Sequence, residues 1–270
     1  MNQEELSPQD ERQTEVCQPA DPRERFSSRV QNYVKYRPAY PDQIIRFLET
    51  SCGLTSDSLV ADIGSGTGIL SELFLQNGKK VWGVEPNESM RLAAEAALKD
   101  YPKFTSVNGS AEATTLPDQS IDLITAAQAF HWFDQKRARA EFARILKPNG
   151  WVVLLWNERR LDSTDFLKGF EQLLLKYGLD YTKVRHENVE DDIAGFYAPA
   201  PFKQVNFDNR QDLDLAGLRG RLFSASYTPE PGHRDYESMV SEIDILFRDH
   251  QVHGNVTIEY DTKLYYGHLA

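Results

Sequence analysis

A glycine-rich segment at residues 60–68 places the strongest constraint on the fold of this chain. A short apolar run ends at Asp62 and Ile63, three glycines then alternate with small polar residues, and an amphipathic stretch begins at Ile69. Glycine is needed where the backbone adopts a positive φ or closely approaches a ligand, and a helix that follows points its N-terminal amides back at the turn. The segment therefore predicts a strand, a tight turn and a helix that form a nucleotide-type cofactor pocket.

Two cofactor classes compete for this pocket, and the glycine spacing separates them. Glu85 lies about 20 residues after the turn, as a dinucleotide fold requires, but its carboxylate accepts ribose hydroxyls from either cofactor. The glycines follow a G-x-G-x-G pattern, whereas the dinucleotide fingerprint is G-x-G-x-x-G/A. Asp62 would repel a pyrophosphate and suits an ammonium group. This pattern favours S-adenosylmethionine, which carries an ammonium group and no phosphate.

At these residues the chain resembles the class I S-adenosylmethionine-dependent methyltransferases. The resemblance is to the small-molecule branch, the methyltransferase type 11 group with ubiquinone/menaquinone-type and trans-aconitate-type relatives. It implies an enzyme that transfers a methyl group from S-adenosylmethionine. The matching motifs occur in family order and are residues 60–68, 84–87 with Met90, 109–112 with 116–117, 122–124, 127–133 and 146–150.

The resemblance also assigns cofactor contacts to residues that follow the predicted strands. The glycine turn would hold the methionine part, with Asp62 taking the ammonium directly or through water. Glu85 would accept the ribose hydroxyls, and the backbone amide of Ala111 with the side chain of Glu112 would read the adenine amino group. The full predicted set is Asp62, Gly64, Gly66, Gly68, Glu85, Pro86, Met90, Ala111, Glu112, Gln128 and Arg37.

Three residues near these motifs also have ordinary structural interpretations. Asn87 suits the N-cap of the next helix. Met90 either packs on the adenine ring or belongs only to the core. Glu112 would also be at home as an acidic residue in the first turn of a helix, where it complements the helix dipole.

The segment 128–133 follows the fourth predicted strand, where cofactor and acceptor should meet. Aromatic rings there would attract the polarised methyl groups of a sulfonium, as they attract other cations. His131 is the candidate catalytic residue, as a hydrogen-bonding group or general base, and its alternative is a packing role. Trp132 is predicted to line the substrate pocket. Trp156, after the fifth strand, is a further substrate candidate, as are Asn157 and Arg159, although Arg159 also suits a surface position.

A second resemblance lies in residues 33–41, with the pattern Tyr…Tyr-Arg-Pro-x-Tyr-Pro. In related small-molecule methyltransferases this segment forms a lid over the cofactor. Tyr33 and Tyr36 are accordingly predicted to contact substrate, and Arg37 to bind the cofactor carboxylate with its planar fork of donors. The alternative is a solvent-exposed helix end with an ordinary surface arginine.

Regular alternation of strands and helices predicts an α/β fold with a mostly parallel sheet covered on both faces. By resemblance it is a Rossmann-like seven-stranded sheet with a last antiparallel edge strand and helical lid elements. Strands are predicted at 58–63, 80–84, 103–107, 121–126, 151–157, 202–208 and 256–266. Helices are predicted at 24–37, from Pro41, and at 68–77, 88–100, 134–146, 163–178, 212–223 and 235–250, with a polar connection through 195.

The domain organisation follows from composition and pattern. Residues 1–22 are polar and acidic and predict a disordered tail. Residues 23–270 are predicted to form a single domain, with an N-terminal lid at 23–51 and substrate-covering insertions at about 160–200 and 212–235.

Charge and composition limit the partners. The net charge of −11, from 41 acidic and 30 basic residues, disfavours a nucleic acid, and no apolar run is long enough to span a bilayer. The N-terminus lacks the pattern of a signal peptide, which predicts a cytoplasmic protein. Two cysteines and six histidines form no metal-ligand pattern; His250 and His253 have a possible ligand spacing but suit a surface pair.

Three functions fit these observations. The favoured one is methyl transfer to a small molecule, with an oxygen acceptor such as a carboxylate. The others are methyl transfer to a protein or nucleic acid, and cofactor binding without catalysis.

Overall fold

The computed structural model describes residues 30–181 and 189–269, and this part of the chain contains one seven-stranded sheet. The strands are β1 (Leu59–Ile63), β2 (Lys80–Val84), β3 (Phe104–Val107), β4 (Ile121–Ala127), β5 (Leu146–Arg159), β6 (Phe202–Leu213) and β7 (Val256–Gly267). The helices are α1 (Val30–Tyr36), α2 (Gln43–Ser51), α3 (Ile69–Gln76), α4 (Glu88–Ala97), α5 (Gln135–Ile145), α6 (Asp165–Tyr177), α7 (Val189–Tyr197), α8 (Leu215–Phe223) and α9 (Tyr236–His250).

The strand order is β3-β2-β1-β4-β5-β7-β6, and the first five strands pair in parallel. β7 pairs antiparallel with both β5 and β6. The α/β fold and the antiparallel last strand are therefore confirmed. Within the final pair, β6 takes the outer position and β7 lies between it and β5.

Both faces of the sheet are covered by helices, as predicted. On one face, apolar side chains of α2 and α3 pack on β1, β2 and alternate residues of β5. On the other face, α5 and α7 pack on the remaining alternate residues of β5 and on β4. Burial of both faces explains why the central strands are almost continuously apolar.

Helix boundaries are set by capping side chains at several places. Thr164, Asp134 and Asn87 each accept a hydrogen bond from a backbone amide in the first turn of α6, α5 and α4, respectively. These caps satisfy amides that have no partner within the helix. The sequence pattern located all three helix starts to within two residues.

The largest differences from the predicted elements lie after residue 145. The polar connection predicted through residue 195 is wrong at its end, because α7 forms there and buries Ile193, Phe196 and Tyr197. β5 begins at Leu146 and reaches Arg159, two residues beyond its predicted end, and β6 extends to Leu213. The residues added at the C-terminal ends of β5 and β6 pair with the first half of β7.

A third apolar cluster lies beyond the carboxyl ends of the parallel strands. It joins α6, α8 and α9 to the last residue of β6 and the first residues of β7. β7 runs antiparallel, so its first residues are at the same edge as the carboxyl ends of the other strands. We call α6, α8, α9 and these strand ends the cap.

Several predictions lie outside the described residues. These are the tail at 1–22, the beginning of the helix predicted at 24–37, and the side chain of Tyr33. No helix in the described ranges combines the length and apolar character that a bilayer crossing would require.

Candidate active site

The glycine turn connects β1 to α3 and has the backbone conformation that its sequence predicts. Gly64, Gly66 and Gly68 have φ values of +68°, +57° and +87°, a region that side-chain-bearing residues rarely adopt. A Cβ added to Gly64 would lie 2.7 Å from the Cβ of Ala129, and one on Gly68 would lie 2.7 Å from a methyl of Leu98. A Cβ on Gly66 would meet no atom within 4 Å. The middle glycine therefore borders open space, whereas the outer two are packed.

Asp62 lies at the end of β1, beneath this turn, and is only 1% exposed. Its two carboxylate oxygens accept hydrogen bonds from the hydroxyls of Ser71 at 2.7 Å and Thr125 at 3.0 Å. Burial raises the pKa of Asp62 to about 6, and the two hydroxyls oppose that rise. A carboxylate that is costly to ionise here is well suited to an incoming cation, which would stabilise its charged form.

Glu85, at the end of β2, ties the glycine turn to the next helix. One carboxylate oxygen accepts from the amide of Gly66 at 2.9 Å and the other from the amide of Asn87 at 2.8 Å. Burial raises the pKa of Glu85, and these two amides act in the opposite direction. An ionised carboxylate has about four acceptor sites, so these two bonds leave acceptor capacity for ribose hydroxyls.

The residues that follow Glu85 have mainly structural contacts. Pro86 is half-buried, and the Asn87 side chain accepts from the amide of Met90 at 3.0 Å, which confirms the N-cap interpretation. Met90 is 5% exposed. Its contact with an adenine ring stays a prediction.

After β3 the chain forms a tight turn that carries Ala111 and Glu112. Ser110 and Ala113 exchange backbone hydrogen bonds of 3.1 and 3.2 Å across it, and Ala111 is buried. The Glu112 carboxylate accepts from the backbone amide of Asp134, the N-cap of α5, at 2.9 Å. Glu112 therefore complements the start of a helix from outside it, and its contact with adenine stays a prediction.

The segment 128–133 continues from β4 across the same edge. Gln128 has a φ of +56°, and its side-chain amide donates to the carbonyl of Asn157 at 3.1 Å, which links β4 to β5. Phe130 is fully buried, whereas His131 and Trp132 are half-buried with ring centres 4.7 Å apart. A non-glycine residue at positive φ is typical of functional sites. Contact of these two rings with an acceptor stays a prediction.

The lid segment, which we define as residues 30–42, contacts both the cap and the helix that follows Glu85. α1 lies against α8 and also reaches α4. The ring of Tyr36 packs on Gly220, where an added Cβ would lie 2.1 Å from the ring. The Arg37 guanidinium donates to the carbonyl of Ser224, at the C-terminus of α8, at 3.0 Å. Binding of the cofactor carboxylate by Arg37 stays a prediction, as does substrate contact by Tyr36.

Polar side chains of β5 and β6 hold the backbone of the lid segment, and sequence reasoning missed the two from β6. Asn157 and Asn209 both donate to the carbonyl of Ala39, at 3.2 and 2.8 Å. Gln211 donates to the carbonyl of Tyr36 at 2.9 Å. The alternation of polar residues in β6 resembles a solvent-facing pattern, so the sequence carried no clear signal for this role.

Two predicted side chains at the end of β5 lie on opposite faces. Trp156 is 5% exposed and packs edge-on against Phe130 and Tyr265 in the core. Its predicted contact with substrate is not tested by this placement. Arg159 is paired with Glu171 of α6, and its side chain is 9% exposed, so the surface interpretation of Arg159 is wrong.

The residues present fit S-adenosylmethionine. The open space at Gly66 is bordered by the Glu85 carboxylate, which bonds the Gly66 amide. The Thr67 hydroxyl in the same turn is buried and has no hydrogen-bond partner among the described residues. The buried Asp62 carboxylate would suit an ammonium group, and this contact stays a prediction. Within residues 30–181 and 189–269, no three His, Cys, Asp or Glu side chains group closely enough to hold a metal ion.

Comparison with known sequences gives one family match and several relatives. A family model described as a methyltransferase domain matches residues 61–154. An uncharacterized methyltransferase of Schizosaccharomyces pombe (strain 972) is 33% identical over 224 residues, which cover 83% of this chain and 87% of the relative. An uncharacterized methyltransferase of Mycobacterium tuberculosis (strain H37Rv) is 37% identical over 144 residues, 53% of this chain. That match spans 56% of the mycobacterial relative, or about half its length.

Solved structures with a similar fold superpose on most of this chain. A protein of Anaeromyxobacter dehalogenans assigned as a type II methyltransferase superposes with a TM-score of 0.66 at 22% identity, over 87% of this chain and 98% of that one. A protein of Anabaena variabilis assigned as a methyltransferase from an antibiotic biosynthesis pathway gives 0.60 at 22% identity, over 87% and 99%. At these identities the likeness shows the fold alone.

Proposed function

Because this chain belongs to the class I S-adenosylmethionine-dependent methyltransferases, we propose that it transfers a methyl group to a small molecule and that the accepting atom is an oxygen, such as that of a carboxylate. The family supplies the reaction class and the methyl donor. The acceptor is the new element of the proposal.

The observation that carries the proposal is the covered edge of the sheet. The lid segment is hydrogen bonded to β5 and β6 across the carboxyl edge, and the cap packs at the same edge. A protein or RNA acceptor needs an open surface to approach the methyl donor, whereas a small molecule fits beneath such a cover. The net charge of −11 further disfavours a polyanionic acceptor.

S-adenosylmethionine supplies an electrophilic methyl group on a sulfonium. The residues of this chain would then contribute binding, alignment and exclusion of water. Asp62 would hold the ammonium group and Glu85 the ribose hydroxyls. The aromatic segment 130–133 would line the acceptor side, where its rings stabilise a polarised methyl group.

The proposed acceptor also determines the role of His131. A carboxylate is already ionised at neutral pH and needs no base, whereas a phenol or an acidic carbon must lose a proton. His131 is the nearest credible group for that proton on the aromatic segment. With a carboxylate acceptor it acts only as a hydrogen-bonding group.

The proposal is tested by binding and turnover in sequence. Equilibrium titration with S-adenosylmethionine and S-adenosylhomocysteine establishes donor binding. A panel of small acids, phenols and amines is then screened for release of S-adenosylhomocysteine, with bulk tRNA and protein as parallel acceptors. Turnover with small acids supports the proposal. Methyl transfer to tRNA or protein only would contradict it, and donor binding without any transfer would indicate a non-catalytic binder.

A further inference from the structure

A buried cation at the covered edge has a hydrogen-bond donor that no described residue uses. Arg159 ends β5, and its Nη2 donates to the Glu171 carboxylate and to the Tyr181 hydroxyl, the latter at 3.0 Å. Its guanidinium carbon lies 5.1 Å from the centre of the Phe170 ring. Nη1 is buried and has no hydrogen-bond partner among the described residues. An unpaired buried donor on a charged group is costly, so this atom points to a ligand.

The position of Arg159 in the sheet places it on the side of the lid segment. Residues two apart in a strand face the same side, and Asn157 on that side binds the Ala39 carbonyl. The cross-strand partners of Arg159 are Tyr260 in β7 and, through it, Asn209 in β6, which also binds Ala39. Arg159 therefore lies between the lid segment and α6, above the carboxyl edge.

The contacts of Arg159 engage Nη2 and leave Nη1 without a hydrogen-bond partner among the described residues. The Tyr181 hydroxyl donates to the same Glu171 oxygen at 2.6 Å, so both groups grip Nη2. The planar guanidinium then has a fixed orientation, and the direction of the Nη1 donors is fixed with it. Glu171 and Tyr181 are in this sense positioning residues.

Two further guanidinium groups lie on the same side of the sheet. Arg221 is 8% exposed, and its Nε donates to the Tyr260 hydroxyl at 3.2 Å. Arg37 reaches the carbonyl of Ser224, in the same stretch of chain. Arg159 and Arg221 thus both lie beside Tyr260, and guanidinium groups favour an anionic ligand.

We propose that Arg159 determines acceptor specificity by binding a carboxylate of the methyl acceptor through Nη1. The inference rests on the proposed function and narrows its substrate class to acids. Arg159 forms no bond with the transferred methyl group, so its loss acts on acceptor binding.

The experiment measures binding of simple carboxylates to the full chain saturated with S-adenosylhomocysteine. Benzoate, hexanoate and succinate are titrated calorimetrically beside benzamide, hexanamide and succinamide. At least one carboxylate should bind more tightly than its amide. Arg159→Gln should lower the affinity for that carboxylate by at least about tenfold, as loss of a charged hydrogen bond implies. The affinity for the amide should change by less than about threefold. Arg159→Lys should restore only part of the affinity, because a point charge does not reproduce the fork.

The neighbouring arginine provides the matched control. Arg160 is paired with Asp208 and Asp261 at the surface, and Arg160→Gln should leave carboxylate affinity unchanged. Arg159→Gln removes the cation that is paired with the buried Glu171 carboxylate. The double variant with Glu171→Gln therefore removes both charges. Intact S-adenosylhomocysteine affinity and an unchanged circular dichroism spectrum show that either variant is folded.

Three results would overturn the inference. These are no carboxylate binding by the wild-type complex, equal losses for carboxylate and amide, or a loss of S-adenosylhomocysteine affinity with unchanged carboxylate affinity. The last result would assign Arg159 to the methyl donor instead. Failure of the proposed function is distinguished by turnover: carboxylates that bind through Arg159 but are never methylated would support the binding site and contradict the reaction.

Discussion

The two halves of the covered edge are assembled from contacts of very different range along the chain. The cofactor half, formed by residues 60–90, is held by contacts of shorter range: Ser71 with Asp62, the Gly66 amide with Glu85 and Thr125 with Asp62 are 9, 19 and 63 residues apart. The proposed acceptor half is formed by residues 128–133, the lid segment and the ends of β5 and β6. It is held by bonds from Asn209 and Gln211 to the lid segment, which span 170 and 175 residues. The first set of contacts lies within one recognisable motif, whereas the second joins segments that are distant in sequence and so leaves no local motif.

The largest expected effect tests the cofactor half at its packed glycine. Gly64→Ala should lower the free energy of unfolding by roughly 3 kcal/mol, combining about 1–2 kcal/mol for left-handed backbone with about 1–3 kcal/mol for overpacking against Ala129. Gly66→Ala has the same backbone cost and no clash, so about 1–2 kcal/mol is expected. Urea denaturation without cofactor measures both.

The same pair separates folding from binding. Gly66→Ala should weaken the binding of S-adenosylmethionine by more than the loss of stability accounts for, because the added methyl group enters the open space. Equal stability losses for the two variants, or normal cofactor affinity in Gly66→Ala, would show that the turn is not used as described.

The next effect is a pH dependence carried by Asp62. Because burial raises its pKa to about 6, the carboxyl is mostly protonated at pH 5 and cannot pair with an ammonium group. Affinity for S-adenosylmethionine should therefore fall about tenfold per pH unit below 6 and level off above it. Asp62→Asn should remove this dependence, and Glu85→Gln, which leaves Asp62 in place, should retain it. Calorimetric titration between pH 5 and 8 decides the point.

The stability of the cofactor-free protein should change with pH in the opposite sense. The folded pKa of Asp62 is above its unfolded value of about 3.9, so the folded state binds the extra proton. The resulting stability is complete below pH 4 and is lost as pH rises through 6, a difference of roughly 3 kcal/mol. Asp62→Asn should abolish that contribution in urea denaturation, and an unchanged pH profile would contradict the assignment.

A smaller effect is expected in the acceptor half. Asn209→Ala removes a hydrogen bond to Ala39. It should lower the free energy of opening of the lid segment by about 1 kcal/mol, which raises its amide exchange rate about fivefold. Asn206→Ala, on the exposed side of the same strand, is the matched control and should change nothing. Hydrogen exchange of a peptide covering residues 30–42 is the measurement. Equal exchange in the two variants would show that the lid is held elsewhere.

The smallest effect is predicted for His131. With a carboxylate acceptor, His131→Gln should lower kcat by less than about threefold, because no proton is removed. With a phenolic acceptor, His131→Gln should instead lower kcat by about 100-fold or more, the ordinary contribution of a general base. Steady-state rates with acid and phenol acceptors compare the two, and a large loss with the acid would contradict the role given to His131.

The strands and the glycine turn of the cofactor half could be predicted almost completely from sequence. β2 lies at its predicted residues, and β1, β3 and β4 differ by one residue, because apolar runs between glycine turns have strong local signals. The positive φ at Gly64, Gly66 and Gly68 is expected of glycines that alternate in a tight turn after a strand. Ser71 was missed, although a polar residue within the buried apolar stripe of α3 is the kind of signal that could have found it.

The acceptor half could not be predicted to the same depth. Asn209 and Gln211 face inward but are polar, because their partners are backbone groups of the lid segment, so β6 looked shorter than it is. α7 has only a few apolar positions after an acidic first turn, too short a pattern to distinguish from a connection. The ion pair of Arg159 with Glu171 depends on how α6 folds back on β5, which no local pattern encodes.

Because the lid segment is hydrogen bonded to a strand late in the chain, its contacts form in a fixed order during synthesis. Residues 36–39 emerge early in synthesis, but their partners in β6 follow about 170 residues later, and among the described strands β6 pairs with β7 alone. A nascent chain can therefore form the glycine turn and its acidic partners long before the partners of the lid segment in β6 have been made. We expect the closed pocket to be among the last structures to form, since such distant contacts are the slowest to close.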